Sequence, residues 1–496
     1  MVRFFYCITF ISLTMLLTTL TGADPKEKDV LEAMKYASRF MMDTVSTNGG
    51  FVWNYSADLS ERWGEVPARD TQIWVQGASN GVGEMFLAAY EATGDQQYLD
   101  YAKNVADAII WGQYPSGGWH YLIDFDMAGI EKWYDEVASK CWGWEEYYQY
   151  YGNCTFDDDA TASSVRFLMK MYTVTLDPAY RVPLMKALDF ILEAQFPNGA
   201  WPQRYPLMFN HPHNGHPDYT SYYTFNDGVI PNNINLLLEA YDDLGDERYF
   251  TAARRAMDFY LISQGPEEQA GWAQQYDWNM QPAWARSYEP PAYQPTRTMY
   301  SIYDLMKFYK ITGDRRYLKP IPLAINWIEK SALGPEYTIV LNANSTRKST
   351  HARYYQPGTN LPLFVHRKGT NIDNGSYYAD QDPENLMCHL SMSGSYDIEG
   401  MKAEYNRVKT ISPEEAHIEY LAEKNASEKI PDVDFQKVQE LISSLDKRGA
   451  WITDITIPYY YDPCKTPRRT LKGISTRTYQ NNMYTLINYI KSKKRG

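Results

Sequence analysis

Thr93-Gly-Asp-Gln-Gln-Tyr98 decides the fold, because it returns as Leu176-Asp-Pro-Ala-Tyr180, Leu244-Gly-Asp-Glu-Arg-Tyr249 and Thr312-Gly-Asp-Arg-Arg-Tyr317. Each copy lies between two apolar-periodic segments and reads as a helix-helix turn. Ahead of one copy, Ile230, Ile234, Leu237, Leu238 and Tyr241 share a helical face; behind another, Leu184, Leu188, Ile191 and Leu192 do the same. The unit is an antiparallel helix pair. After each second helix comes a glycine beside an aromatic, in Gly117-Gly-Trp119, Gly199-Ala-Trp201 and Gly271-Trp272, with an earlier copy at Gly49-Gly-Phe51. No run of comparable length alternates with period two in residues 70–330. Pairs recurring at roughly 70 residues predict an all-α fold, an α/α toroid of alternating inner and outer helices, with an open solenoid as the alternative. The toroid is placed at residues 24–370. From Gly334 onward the repeat fades, so residues 371–496 are expected to be a C-terminal extension packing on the ring, with a hairpin signal at Asp373-Asn-Gly375 and a closing helix from Gly473 to Lys491.

The 496 residues are 44% hydrophobic and 15% aromatic, which excludes wholesale disorder and collagen-like structure. A net charge of −13, with no basic block beyond the short Lys491 to Arg495 end, argues against a nucleic-acid partner. Any anionic ligand of such a chain needs local cations or a bound metal. Residues 1–23 carry one charge, Arg3, then an apolar run from Phe4 to Leu17 and a small-residue exit at Thr21-Gly-Ala23. This reads as a secretory signal peptide, hence an extracellular or periplasmic protein, with a transmembrane anchor as the competing reading. No other segment approaches a membrane-spanning length, so no membrane partner is expected, and the protein is expected to be a monomer. Cys141, Cys154, Cys388 and Cys464 allow two disulfides in three pairings, Cys141 with Cys154 being the most local. Asn-x-Ser/Thr sequons stand at Asn54, Asn153, Asn344, Asn374 and Asn425.

In a toroid the second helix of one pair ends on the rim where the first helix of the next pair begins. The Gly and Trp loops therefore meet the polar clusters Asp70-Thr-Gln72, Asp157-Asp-Asp-Ala-Thr161 and Asn226-Asp-Gly228 on one face. Each cluster has a plain reading as a helix N-cap, and Trp119, Trp201 and Trp272 have one as wedges between helices. Aromatic faces with carboxylates between them also suit a sugar chain, since indoles stack on pyranose C–H surfaces while carboxylates hold hydroxyls or a cation.

Two further segments are less ordinary: Gly271-Trp-Ala-Gln-Gln-Tyr-Asp277 leading to Pro282-Ala-Trp-Ala-Arg-Ser-Tyr-Glu289, and Ala352-Arg-Tyr-Tyr-Gln-Pro-Gly-Thr-Asn360 leading to Pro362-Leu-Phe364. With Asp157, Ala160-Thr161, Arg166-Phe-Leu168, Pro197-Asn-Gly199, Trp201-Pro-Gln203 and Phe225-Asn-Asp227, they resemble the pectate lyases of polysaccharide lyase family 10, in the family's order across roughly residues 150–370. The resemblance implies a toroid that cleaves homogalacturonan by calcium-assisted β-elimination, acting on pectate or a related uronan. By motif, Arg286 corresponds to the Brønsted base, Asp157 and Asp227 to the Ca²⁺ ligands, and Arg353 and Arg367 to cations that grip substrate carboxylates. Trp201, Trp272, Asn226 and Glu289 complete the expected substrate contacts.

That chemistry asks for such residues. Removing the C5 proton of a galacturonate places negative charge beside a carboxylate, which Ca²⁺ or arginines must first offset. Aspartate oxygens suit Ca²⁺. Arginine is ordinarily protonated, so its use as a base requires desolvation and nearby positive charge. The competing role for Arg286 is an ion pair with Glu289; Asp277 is either a ligand or a loop cap, and Arg166 orients Asp157 or reaches solvent. His211, His213 and His216 suggest a metal clip or a solvated loop. The chain departs from the family pattern at Asp158-Asp159, usually Asn-Gly, at Gly228, often Asp, at Leu361, commonly basic, and at Pro290-Pro291. A modified pectin or another uronan is thus an alternative substrate. Two other functions remain: a toroid glycoside hydrolase using the Asp157 to Asp159 cluster, and a non-catalytic carbohydrate-binding protein.

Overall fold

The computed structural model describes residues 25–141, 145–209, 211–212, 216–343, 348–368, 376–387, 390–427, 429–457 and 469–495. The expected signal peptide at 1–23, Cys388, Cys464, His213, Asn344, Asn374 and the hairpin signal at 373–375 lie outside these residues.

Each copy of the repeated phrase does two jobs. Gly94, Gly245 and Gly313 end a helix in the left-handed region (φ +72°, +71° and +69°), and Leu176 takes the same place at φ +55°. The aspartate that follows caps the next helix: Asp95, Asp177, Asp246 and Asp314 each accept a backbone N–H two residues on, at 2.9–3.1 Å. Tyr98, Tyr180, Tyr249 and Tyr317 then turn inward and are buried.

In chain order the described helices are α1 (Glu27–Phe40), the pair α2 (Asn80–Thr93) and α3 (Gln96–Trp111), the short α4 (Ile130–Glu136), the pairs α5 (Ala160–Thr175) with α6 (Pro178–Ala194) and α7 (Val229–Leu244) with α8 (Glu247–Ile262), then α9 (Pro295–Thr312) with α10 (Ile321–Lys330), α11 (Pro335–Asn342), α12 (Ile398–Val408), the pair α13 (Pro413–Ser427) and α14 (Phe435–Ser443), and α15 (Thr476–Arg495). The first helices face a central polar depression lined by Arg166, Asn235, Glu239, Lys307 and Lys424. Ion pairs and hydrogen bonds bridge neighbours there, Lys170 to Glu84, Lys307 to Asn235 and Lys424 to Asp242.

The outer helices are keyed by the glycine loops. Gly49, Gly117, Gly199 and Gly449 have positive φ, and a Cβ on each would fall within 2.1–2.7 Å of a carbonyl oxygen, on Asn104 of α3, Lys186 of α6, Arg255 of α8 and Tyr36 of α1 respectively. Only glycine permits both the backbone angle and the approach. The following tryptophans are wedges. Trp119, Trp201, Trp272 and Trp451 are buried, and each indole N–H donates to a carbonyl at the end of the preceding helix, on Ile109, Ile191, Tyr260 and Leu441, at 2.7–3.0 Å.

Gly449-Ala-Trp451 is thus a further copy of the loop, inside the segment expected to be an extension. That expectation needs correction: α13 packs on α9, α15 on α2 and α1, and α14 on both α1 and α15, so residues beyond 370 complete the ring. The seam is a four-stranded antiparallel sheet in which Asn54–Ser56 pairs with Thr470–Ser475, register Asn54 opposite Ser475. Short strands add a five-stranded sheet on the loop side, where Pro362–Lys368 pairs with Ser376–Asp380. Cys141 and Cys154 are both buried and are not joined to each other. Asn153 is buried, its amide donating to the carbonyl of Pro206 at 2.9 Å, so this sequon is closed to a glycan in the folded chain, whereas Asn425 on α13 is exposed.

Candidate active site

Two short 3-10 turns open the first helices α5 and α7, Asp157–Asp159 and Asn226–Gly228, and they pack against each other. Both carry consecutive left-handed residues, Asp158 (φ +49°) and Asp159 (φ +63°) in one, Asp227 (φ +47°) and Gly228 (φ +76°) in the other. Neither acts as a side-chain N-cap. The strained backbone instead turns the carboxylates toward the opposite turn. Asp157, Asp158 and Asp227 each offer a carboxylate oxygen within 4.8 Å of the others.

Arg286 lies in the middle. Its residue is only 5% exposed, and its guanidinium is ringed by acids. Nε and Nη2 donate to the two Glu146 oxygens at 2.9 and 3.1 Å, Nη2 also to Asp157 Oδ2 at 3.1 Å, and Nη1 to Asp227 Oδ2 at 2.8 Å and Glu289 Oε2 at 3.3 Å. Burial disfavours this cation, but Glu146, Asp227 and Glu289 outweigh it and hold the guanidinium well above its ordinary range. The 286–289 loop is pinned by the Glu145–Tyr147 turn, where Ser287 N and Oγ donate to Glu145 Oε2 at 2.8 and 3.0 Å.

The acids outnumber the cation, and their protonation reflects it. Burial and the neighbouring Glu146 push Glu65 up to about 8, and burial pushes Glu145 up to about 7. Asp157 and Asp158 are driven well above the carboxylate range, by burial first and then by Asp227 and Asp157 respectively. Asp227 is the exception: burial opposes its charge, but Arg286 outweighs that and holds it low. Among the described residues, Asp157 Oδ1 is buried and has no hydrogen-bond partner, while Oδ2 accepts from Tyr121 and Arg286. Behind Tyr121, Arg204 is buried between the rings of Tyr121 and Tyr151, at 5.1 and 4.3 Å.

The other residues anticipated from sequence are distributed as follows. Arg353 is half-buried, its Nε donating to Tyr354 Oη at 3.0 Å, and its charge helps hold Asp227 ionised. Arg367 sits 4.5 Å over the Tyr377 ring, which itself packs on Tyr288, one side chain removed from the Arg286 loop. Trp201 and Trp272 are corrected: both are fully buried wedges with no face for a sugar. Asn226 and Glu289 are buried and bonded within the Arg286 loop. Glu289 accepts from the Arg286 backbone N–H at 3.1 Å and from Gln274 at 3.1 Å, and the Asn226 amide donates to it at 3.3 Å. Arg166 pairs with Asp159 and Glu239, not Asp157. Asp277 is a loop cap, accepting from Asn279 N and Gln281 N at 2.9 and 3.0 Å. His211 lies edge-on to Tyr151 and His216 stacks on Trp284, so the two described histidines serve different rings. Glu65, Glu146, Tyr121 and Arg204 were not anticipated. Glu146 lies 140 residues from Arg286, beyond the reach of any spacing argument.

Comparison with known proteins decides the family. Residues 129–381, half of the chain, match the family model described as pectic acid lyase. The chain belongs to the pectic acid lyase family. It is a polysaccharide lyase. Solved structures similar to it include a family 10 polysaccharide lyase from Cellvibrio cellulosa, 19% identical over 67% of this chain and 98% of that one with a TM-score of 0.43. A mutant of a Cellvibrio cellulosa family 10 lyase in complex with trigalacturonic acid is 19% identical over 66% and 98%, with a TM-score of 0.44. A glycoside hydrolase family 76 mannosidase from Bacteroides thetaiotaomicron is 11% identical over 94% and 99%, with a TM-score of 0.41. No curated protein matches the chain. The match of this pectic acid lyase family member includes Glu146, Asp157, Asp227, Arg286 and Arg353, and excludes Glu65 and Tyr121. No described helix is long and apolar enough to cross a membrane.

Proposed function

We propose that this lyase cleaves pectate by β-elimination, with Arg286 as the base that removes the C5 proton, and that it acts as a secreted monomer once residues 1–23 are removed. The observation that carries the reading is the convergence of the two strained turns on a buried arginine, with Arg353 beside them. Asp157, Asp158 and Asp227 fit a calcium ion: they are hard oxygen donors, their oxygens lie within 4.8 Å of one another, and Asp157 Oδ1 is left without a partner among the described residues. A calcium ion held there would offset the charge of the uronate and of the enolate-like transition state.

The chain's own residues do the rest. Arg353 and Arg367 supply positive charge for substrate carboxylates. Glu289, itself held by the Asn226 amide, accepts from the Arg286 backbone and guanidinium, while Ser287 ties the loop to Glu145. Arg286 is kept protonated by Glu146, Asp157, Asp227 and Glu289. Two of these are also the candidate metal ligands, so holding a cation and releasing the Arg286 proton draw on the same carboxylates. For the elimination Arg286 must first give up a proton to solvent; the neutral guanidine nitrogen then accepts the C5 proton, the C5 electron pair forms the C4–C5 double bond, and the C4–O4 bond breaks with its electrons going to O4, which takes a proton from water or from the newly protonated Arg286.

The test is polygalacturonate at alkaline pH with and without calcium, followed by the ultraviolet absorbance of the unsaturated product. Absorbance that is lost with EDTA and with Arg286→Ala supports the reading. New reducing ends without absorbance, abolished by Asp158→Asn or Asp159→Asn but not by Arg286→Ala, would assign a hydrolase. Polymer binding without product would leave a carbohydrate-binding protein.

A further inference from the structure

The indoles selected from the sequence as sugar platforms are buried, and the surface offers a different one. Trp278 is 43% exposed and Phe209 62% exposed, and their rings lie 6.3 Å apart. Phe196, Tyr222 and Tyr223 hold Trp278 at near-perpendicular angles of 81–83° and centroid distances of 5.4–5.8 Å. Exposed apolar rings gathered into one patch, rather than scattered singly, mark a binding surface.

The loop that carries Trp278 is rigid. Asp277 closes it through Asn279 N and Gln281 N, Asp277 N donates back to the Gln281 carbonyl at 2.9 Å, and Tyr276 bridges Pro282. The loop is continuous with the active site at both ends. Gln274, four residues before Trp278, contacts Asn226 and Glu289, and Arg286 follows eight residues after it. Tyr223 belongs to the strand Tyr223–Thr224, which pairs with Gln275–Tyr276 and runs directly into the Asn226–Gly228 turn. The aromatic group therefore stands on the rim beside the catalytic loops.

Its charge differs from theirs. Asp277 directly precedes Trp278, and the Asp218 carboxylate accepts from the backbone N–H of His211, two residues after Phe209, at 3.3 Å; after burial, both carboxylates raise the Tyr222 hydroxyl and Asp277 raises that of Tyr223. Both charges are negative and neither carboxylate is in an ion pair among the described residues, whereas the acids of the catalytic centre are met by Arg286 and Arg353. A galacturonate carboxylate placed on Trp278 would meet like charge, while the same sugar as its methyl ester would not. An indole face accepts the pyranose C–H surface in either case.

We propose that Trp278, with Phe209 and Tyr222, is an outer subsite that takes an uncharged pyranose, the methyl-esterified galacturonate of a lightly esterified pectin. The proposal rests on the reading of this lyase as one that acts on galacturonan. It makes the chain a lyase that anchors on esterified stretches and cuts at free acid nearby.

The test uses the full chain and two polymers, polygalacturonate and lightly methyl-esterified pectin, with unsubstituted galactan as a neutral control. Retardation in polymer-loaded native gels reads binding whether or not cleavage occurs, and ultraviolet product formation reads the reaction. Wild type is expected to bind the esterified pectin more tightly than polygalacturonate. Trp278→Ala is expected to lose about tenfold on the esterified polymer and about twofold on polygalacturonate. Phe209→Ala should show the same pattern more weakly and Trp278→Phe should restore most of the loss. Equal losses on both polymers, or no loss on either, would each overturn the subsite, whereas Trp278-dependent retardation by galactan would support its preference for an uncharged pyranose. If esterified pectin is retained through Trp278 but neither polymer yields absorbance, the subsite stands and the lyase mechanism falls.

Discussion

The two turns at the head of α5 and α7 are the same backbone device with different chemistry. Phe156-Asp157-Asp158-Asp159 lies against Phe225-Asn226-Asp227-Gly228, residue for residue, with the left-handed pair at the third and fourth places of each. By geometry the partner of Asp227 is Asp158, and the partner of Asp157 is Asn226. One turn spends three acids where the other spends one, and it carries Asp159 at φ +63° where the other has glycine. Burial, and then the crowding of acids, pushes Asp157 and Asp158 up even though Arg286 meets Asp157 and Arg166 meets Asp159, whereas Arg286 holds the lone acid Asp227 low. A duplicated backbone has been divided between a turn that crowds acids and a turn that carries one.

The largest effect expected is at the residue both turns share. Arg286→Lys should lower kcat by about 10³-fold, since the planar two-sided contacts to Glu146, Asp157 and Asp227 cannot be remade by an ammonium; initial rates on polygalacturonate read it, and near-wild-type turnover would separate the turns from catalysis. Next come the outward acids. Asp158→Ala and Asp227→Ala should each weaken terbium or calcium binding on the order of 10²-fold, measured by terbium luminescence. A loss with Asp227→Ala alone would mean that the geometric pairing of the turns does not extend to the metal.

A third prediction concerns protons. Glu65 and Glu145, raised to about 8 and about 7, prefer the neutral form in the folded chain and have ordinary values when unfolded. Their contribution is therefore fullest below the unfolded carboxylate value and is lost as pH rises through about 7 to about 8. In EDTA the Tm is expected to fall across that window, and excess calcium to flatten the fall; a Tm that rises with pH would contradict the charge imbalance. The smallest effects are in the backbone. Gly228→Ala should cost about 1 kcal/mol in urea unfolding, because φ is +76° and the new Cβ approaches the Asn232 amide. Asp159→Gly should change stability by less, since relief of the left-handed backbone offsets the lost ion pair with Arg166.

The ring was legible because its punctuation is local. A glycine that ends one helix and an aspartate that starts the next are adjacent residues, so the phrase can be seen without knowing the fold. The last pair is legible as two helices, near 412–424 and 433–447, but not as a copy of the repeat, because Asp434 caps α14 after Ile430-Pro-Asp-Val, with no glycine before it, and long loops separate it from the other copies. Motif order pointed to Arg286, Asp157 and Asp227, and the geometry adds Asp158 only through the matched turns. Glu146 was invisible, since its role is a contact across 140 residues from an otherwise plain acidic pair. Trp201 and Trp272 show the limit of residue type: an indole that stacks on sugar and one that ties a helix end are the same letter, and burial alone separates them.

The strand at 54–56 is clasped by the strand at 470–475, and α15 then seats against α1 and α2. A growing chain that has already emerged with its acids and its arginine still lacks the buckle of the hoop. A clasp between strands more than four hundred residues apart is a contact of very large sequence separation, so it closes after the local helix pairs have formed, and the ring is drawn tight last at this seam.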